Sequence, residues 1–506
     1  MKFSRPAIAV AAAAVIAAGA VPAVQHVSAA GGRATVLDPA VSAVETTLAA
    51  APTREETAAS TTGTMSEQPT TSALSTQNTP TSSTTAAATT AAPTPSTTQR
   101  AAVPATAPVA LEGKAPDKVV SVNPAPTALD RAPVDPNNPL VNGAAGTGDA
   151  AGNAAGASAV KPLGDVPQTT KGKDQRWVGI LQRNERAWPN AAVRVHSDAM
   201  GRDIPVAVFR ATDAQGKHVD NAPTIYLLNG AGGSEQDTDW VSQAFDEMFD
   251  TYARAGVNVV VPMEGAFSYY VDWAAEPPVN NIFYKGKQMW STFLADELPD
   301  AIEPYLGADR DRRAIAGLSM AATSVLLLAE HNPGLYKAVG SFSGCAATST
   351  PIPNWFVGLT VHRGATGMTP EHIFGEMGSD YNRYNDALVN AAALKGTPLY
   401  ISTGTGLAAE TDMPGYLRER LEKAGYGSAE SLATGVANAA TLQIEGGAIE
   451  GAMNACTHDF LVKAQANGVD VTHAELRPVG THAWSSWRQD LKLSYDTVFK
   501  QALGLK

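Results

Sequence analysis

After Phe3 the next aromatic residue in the chain is Trp177. A segment that long without aromatic side chains cannot bury enough apolar area to offset the entropy of ordering it. Inside it, residues 51–100 hold 17 Thr, 9 Ala, 7 Ser and 5 Pro, so 38 of 50 positions are small or turn-forming. Residues 30–170 are therefore expected to be a disordered linker, Thr/Ala/Pro-rich first and Gly/Ala-rich around Gly143–Gly156, acting as a tether. Cysteine is nearly missing: two residues exclude a disulfide-dense scaffold and a four-cysteine zinc site. Runs of Lys and Arg are missing too. With 37 basic against 49 acidic side chains and a net charge of −12, nucleic acid is excluded as a general partner. No apolar run reaches the roughly 20 residues that span a bilayer. The longest early run, Ala7–Ala20, follows Lys2 and Arg5, is interrupted at Pro22 and precedes the small-residue stretch Val27-Ser28-Ala29. That order reads as a signal peptide over 1–29, and places the mature protein outside the cell or at the cell envelope.

One folded unit is left, at 171–506. Six short apolar runs are spaced along it: Thr224–Leu228, Val257–Pro262, Arg313–Gly317, Ala338–Phe342, Leu399–Thr403 and Val471–Leu476. Helical stretches separate them, at Val241–Arg254, Trp290–Tyr305, Met320–His331, Pro414–Ala424 and Leu432–Ala466. Continuous apolar strands alternating with helices predict an α/β fold, a mostly parallel sheet covered by helices on both faces. In such sheets the site lies at the carboxyl ends of the strands.

After the third run stands Gly317-Leu318-Ser319-Met320-Ala321, at a strand-to-helix turn. Small residues on either side of a serine let the chain turn sharply and project the hydroxyl from the top of the sheet. Ser319 is thus a candidate nucleophile; a helix-capping serine is the bland alternative. A serine nucleophile needs a base and an orienting acid, here in the chain order Ser, acid, His. His362 and His372 come too early, His473 alternates within a strand, and His458 lies in a helical stretch. His482, on the loop after the final strand, is the candidate base. The acid is expected after the fifth strand, where Glu410 and Asp412 both qualify. An oxyanion hole requires the Met320 amide and a second amide, for which the loop Asn229-Gly230-Ala231-Gly232-Gly233 is suited. Cys345 and Cys456 are expected to pair, as two cysteines in an exported protein more often do than not.

With these pieces placed, residues 205–500 resemble the antigen 85 mycolyltransferase family and imply its α/β-hydrolase fold. The resemblance rests on five blocks in order: Tyr226–Gly230, Ser268–Trp273, Trp290–Pro299, Gly317–Ala322, and Gly480–Trp484 with Trp487. It selects Glu410 over Asp412 by its spacing from Gly406, and puts the oxyanion amides on Ala231 and Met320. Substrate contacts are further expected at Asn229, Asp272, Trp273 and Trp484, with core packing an equal reading for the two tryptophans. The implied reaction moves a mycolyl group from trehalose monomycolate, through an acyl-Ser319 intermediate, to trehalose monomycolate or a cell-wall glycan, without metal or organic cofactor. A protein hydroxyl is another conceivable acceptor. Peripheral contact with the outer envelope and a monomeric state are expected. The chain departs from the family where an Asp and an Arg of the oxyanion loop contact sugar: Asn229 and Gly232 stand there. Competing readings are a secreted carboxylesterase using water, and a non-catalytic envelope-binding protein on the same fold. The stretch 425–466, rich in Ala, Gly and Leu, is a candidate cover for an apolar channel.

Overall fold

The structure is a computed structural model that describes residues 160–184, 191–423 and 425–505. The signal peptide and residues 30–159 of the linker lie outside the described residues. The expected linker boundary at 170 is too late, because β1 (Val160–Pro162) already pairs antiparallel with β2 (Ala192–Ser197). Leu163 follows it into the core.

Among the described residues the strands form one nine-stranded sheet, ordered β1-β2-β3-β5-β4-β6-β7-β8-β9. The first antiparallel part adds β3 (Arg202–Phe209), which pairs with β5 (Asn258–Pro262). From there β4 (Thr224–Leu228), β6 (Arg313–Leu318), β7 (Ala338–Phe342), β8 (Leu399–Thr403) and β9 (His473–Leu476) run parallel. All six expected strands are present, as the mostly parallel sheet required.

Alternation along each strand sends side chains to two separate cores. In β4, Tyr226 and Leu228 face one core and Ile225 and Leu227 the other. In β6, Ile315 faces the first, while Ala314, Ala316 and Leu318 face the second. Both faces being apolar explains why these strands read as continuous runs. The second core is closed by α1 (Arg176–Arg183), α2 (Trp240–Thr251) and α3 (Trp484–Ser494) through Trp177, Trp240, Trp484 and Trp487. The first core is closed by the helix Met320–His331, with Val325 and Leu328, and by the turns from Trp290 to Leu306.

The long helical stretch starts earlier than expected, at Ser428, and is broken by a π-type turn at Leu442–Gly446 before continuing over Gly447–Ala466. Cys345, after β7, is joined by a disulfide to Cys456 on that last helix, 111 residues away. Closing so long a loop limits the unfolded chain, an effect of about 5 kcal/mol in the loop-entropy account. Replacing both cysteines by serine is expected to lower unfolding free energy by that order, read as a shift of the urea midpoint. An unchanged midpoint would show that the bridge contributes nothing.

Candidate active site

The turn after β6 carries Ser319 at φ 56° and ψ −120°, in the left-handed half of backbone space that a residue with a side chain enters only under constraint. Three contacts impose it. The Ser319 amide donates to the Phe342 carbonyl at 2.8 Å. A Cβ at Gly317 would lie 2.7 Å from the Ala321 carbonyl oxygen, so no side chain fits there. A Cβ at Gly344 would lie 2.4 Å from the Ala322 Cβ. The next residue, Met320, is the first of its helix, so its amide has no intrahelical acceptor.

The Ser319 hydroxyl donates to Nε2 of His482 at 2.8 Å. The opposite ring nitrogen, Nδ1, donates to Oε2 of Glu450 at 2.7 Å. That partner fixes the tautomer, leaving Nε2 free to accept the serine proton. His482 is 8% exposed and meets the Trp487 ring edge to face, with centroids 4.9 Å apart. Its own amide donates to the Gly446 carbonyl at 3.1 Å, within the π-type turn. A π-turn frees such a carbonyl, and π-turns recur at functional sites for that reason.

Glu450 is fully buried. Its second oxygen, Oε1, accepts from the Gly404 amide (2.6 Å), the Ser343 hydroxyl (2.8 Å) and the Thr403 hydroxyl (3.1 Å). Four donors around one carboxylate hold its orientation.

Glu410, expected as the acid, does not reach His482. It is exposed, in a short helical turn after β8. The fallback, Asp412, is buried but bonds backbone: Oδ2 accepts from the Ala409 amide (2.9 Å) and the Thr481 amide (3.3 Å). It anchors the loop that leads to His482. The physical reason for the displacement is crowding at Gly406. A Cβ there would fall 2.2 Å from the Gly447 carbonyl oxygen, so the helix bearing Glu450 packs directly on the loop after β8. The carboxylate thus sits at the end of β8, as expected, but is supplied from 46 residues further along, keeping the order Ser, acid, His. A signal existed in the sequence. Glu450 is flanked by Gly447 and Gly451 in an otherwise Ala-rich helix, small residues that permit close backbone approach.

The loop after β4 lies beside the elbow: a Cβ at Gly230 would be 2.5 Å from Leu318 Cδ1 and 3.5 Å from Ser319 Cβ. The peptides on both sides of the Ala231 Cα are fixed. The Gly230 carbonyl accepts from the Gly233 amide (3.2 Å), and the Ala231 carbonyl accepts from the Phe267 amide (2.8 Å).

A family match accompanies this geometry. Residues 197–494 fit the Esterase family model. The chain belongs to the esterase family. Within it, this esterase is similar to the antigen 85 proteins, as the sequence blocks implied. It is 29% identical over 244 residues to diacylglycerol acyltransferase/mycolyltransferase Ag85B of Mycobacterium leprae, covering 47% of this chain and 70% of the relative. To Ag85A of the same organism it is 30% identical over 238 residues, covering 46% and 68%. To Ag85A of Mycobacterium tuberculosis H37Rv it is 30% identical over 220 residues, covering 43% and 62%. The crystal structure of Mycobacterium tuberculosis MPT51 (FbpC1) aligns over 62% of this chain and 96% of its own, with 21% identity and a TM-score of 0.43. The esterase is an acyl-transferring enzyme of the serine-hydrolase kind by family.

The four residues expected to touch substrate are sealed inside the esterase. Asn229 is fully buried: its Nδ2 donates to the Pro262 carbonyl (2.8 Å) and its Oδ1 accepts from the Trp240 amide (2.9 Å). Asp272 accepts from the amide (3.1 Å) and hydroxyl (2.7 Å) of Thr292, and burial pushes its carboxyl up to about 6. Trp273 donates to the Ser268 carbonyl (2.9 Å), and Trp484 packs edge to face against Trp240 and Trp487. These aromatic and polar groups build the frame, which a resemblance of sequence blocks does not separate from contact with ligand. Gly232 is likewise explained by its neighbours. A Cβ there would lie 2.5 Å from Thr238 Oγ1 and 2.8 Å from Gln236 Oε1, so those side chains fill the space beside it.

Proposed function

We propose that this esterase is an exported acyltransferase that carries a mycolyl group on Ser319. The observation that carries the reading is the continuous relay from the Ser319 hydroxyl through His482 to Glu450, at 2.8 Å and 2.7 Å. Similarity to proteins named mycolyltransferase supports the choice of acyl group. Ser319 Oγ attacks the ester carbonyl carbon of trehalose monomycolate while His482 Nε2 takes its proton. The Ala231 and Met320 amides face the negative oxygen of the tetrahedral intermediate. His482 returns the proton to the leaving trehalose hydroxyl, and acyl-Ser319 remains. A second sugar hydroxyl, of trehalose monomycolate or of a cell-wall glycan, then gives its proton to His482 Nε2 and takes the acyl chain, and His482 passes that proton to the departing Ser319 Oγ. Glu450 keeps Nδ1–H in place and stabilises the imidazolium throughout. With Asn229 committed to the frame, the exposed part of Gln236 beside Gly232 is the uncharged hydrogen-bonding group this loop offers a sugar.

Incubating the full chain with trehalose monomycolate and resolving the lipids by mass spectrometry tests the reading. Trehalose dimycolate is the expected product. Free mycolic acid alone would move the enzyme to the hydrolases, with water as acceptor. No turnover of any acyl ester would remove the catalytic reading altogether.

A further inference from the structure

A second buried carboxylate lies close to the oxyanion loop and takes no part in the relay. Glu235 is 1% exposed, four residues after Ala231. Its Oε1 accepts from the amides of Gly265 (3.0 Å) and Ala266 (3.2 Å). The next residue in that run, Phe267, donates the hydrogen bond to the Ala231 carbonyl (2.8 Å). The run is strained: Phe267, Tyr269 and Tyr270 have φ of 59°, 56° and 49°. Non-glycine residues keep such angles only where neighbours over-determine them. The packing is close on all sides. A Cβ at Gly233 would sit 2.5 Å from Glu235 Oε2 and 3.1 Å from Ala266 Cβ. Ser234 Oγ donates to the Met263 carbonyl at 2.5 Å. From the other side, the segment ahead of the family match holds the same turn. The Thr170 amide donates to the Glu235 carbonyl (3.1 Å), and the Arg176 amide to Asp237 Oδ1 (2.9 Å).

We infer that Glu235 is a positioning residue for acyl transfer: its carboxylate ties the strained 265–267 run to the oxyanion loop and so aims the Ala231 amide. The inference rests on the reading of Ser319 as the nucleophile. Burial, then the nearby Glu264 carboxylate, pushes the Glu235 carboxyl up to about 7. The charged and titratable groups around it are Glu264, which is paired with Arg202 (3.1 Å) and Lys285 (2.7 Å), together with Tyr270. A neutral carboxyl accepts more weakly than a carboxylate, so the tie loosens as pH falls through 7. The sign for stability is the reverse. A carboxyl raised from 4.5 holds its proton in the folded state up to about pH 7, and stability is lost as pH rises through that value.

The test follows p-nitrophenyl butyrate turnover by the full chain across pH 5–9, with Glu235→Gln, Glu235→Ala and Ser319→Ala. Glutamine retains the Oε1 acceptor and places its amide nitrogen near the Ser234 hydroxyl, but does not titrate. In the wild type the acid limb of kcat/KM is expected to be steeper than in Glu235→Gln, because only the wild-type carboxylate at 235 takes up a proton and loosens the tie. Glu235→Gln, neutral at every pH like the protonated carboxyl, should lower kcat several-fold at pH 8, less than alanine does, melt no lower than the wild type there, and show an acid limb less steep than that of the wild type. Glu235→Ala should lower kcat roughly 10- to 100-fold with KM unchanged, as loss of a group acting on the transition state does. A Glu235→Gln enzyme with the wild-type limb, or a folded Glu235→Ala enzyme with wild-type kcat, overturns the inference alone. Turnover that survives Ser319→Ala overturns the nucleophile reading on which it rests.

Discussion

Replacing Glu450 by glutamine is expected to lower kcat by roughly three to four orders of magnitude, as amide replacement of a triad carboxylate does elsewhere. The two oxygens of Glu450 have different surroundings. Oε1 faces three donors, and one of them, the Gly404 amide, cannot become an acceptor. In the variant the carboxamide oxygen therefore stays on that side and its NH2 turns to His482. A donor facing Nδ1 forces the proton onto Nε2, where it blocks transfer from Ser319. Geometry is kept and the tautomer is wrong. Glu410→Gln, at an exposed position, should stay within about twofold of wild type, since surface substitutions away from a site change little. Steady-state kinetics on a simple acyl ester decides the matter. A tenfold or greater loss in Glu410→Gln, with Glu450→Gln near wild type, would restore the expectation that Glu410 is the acid.

That pair of variants marks the boundary of what was readable in the chain. The central strands were readable because both their faces are buried, which leaves continuous apolar runs such as Thr224–Leu228. The elbow was readable because a strained turn accepts only small neighbours, and Gly317 and Ala321 record that locally. The placement of His482 against Ser319 was readable from its position after the last strand. The carboxylate that meets its other nitrogen was not, because its position depends on the packing of a helix against a loop. Gly406 and Gly447 meet backbone to backbone across a long stretch of chain, and spacing within the loop carries no trace of it. Burial was the other hidden quantity. Asn229, Asp272, Trp273 and Trp484 have the chemistry of sugar contacts, but hydrogen bonds inside the frame absorb their polar atoms. The early start of the sheet at Val160 was missed for a related reason. A three-residue edge strand is too short to show a period, and it lies next to a stretch without aromatics.

Ser319→Ala is expected to cost the most, about six orders of magnitude in kcat, the scale seen when a serine protease loses its nucleophile. Adding His482→Ala should cost little more, because the hydroxyl and its base act as one unit. Two further readouts separate a chemical loss from a structural one. With an activated ester, intact-protein mass should show an acyl adduct on the wild type and none on Ser319→Ala. Thermal melting should not fall, because alanine keeps the Cβ and loses only a hydroxyl whose partner is the His482 ring. Glycine at 319 should go further and raise stability by about 1 kcal/mol or more, since it adopts φ 56° without the steric cost a side chain meets there. An inactive but more stable Ser319→Gly protein would mean that the turn is held in its strained form by its surroundings, and that the strain serves the position of the hydroxyl rather than the fold. A less stable Ser319→Gly protein would mean that the serine is a structural part of the turn.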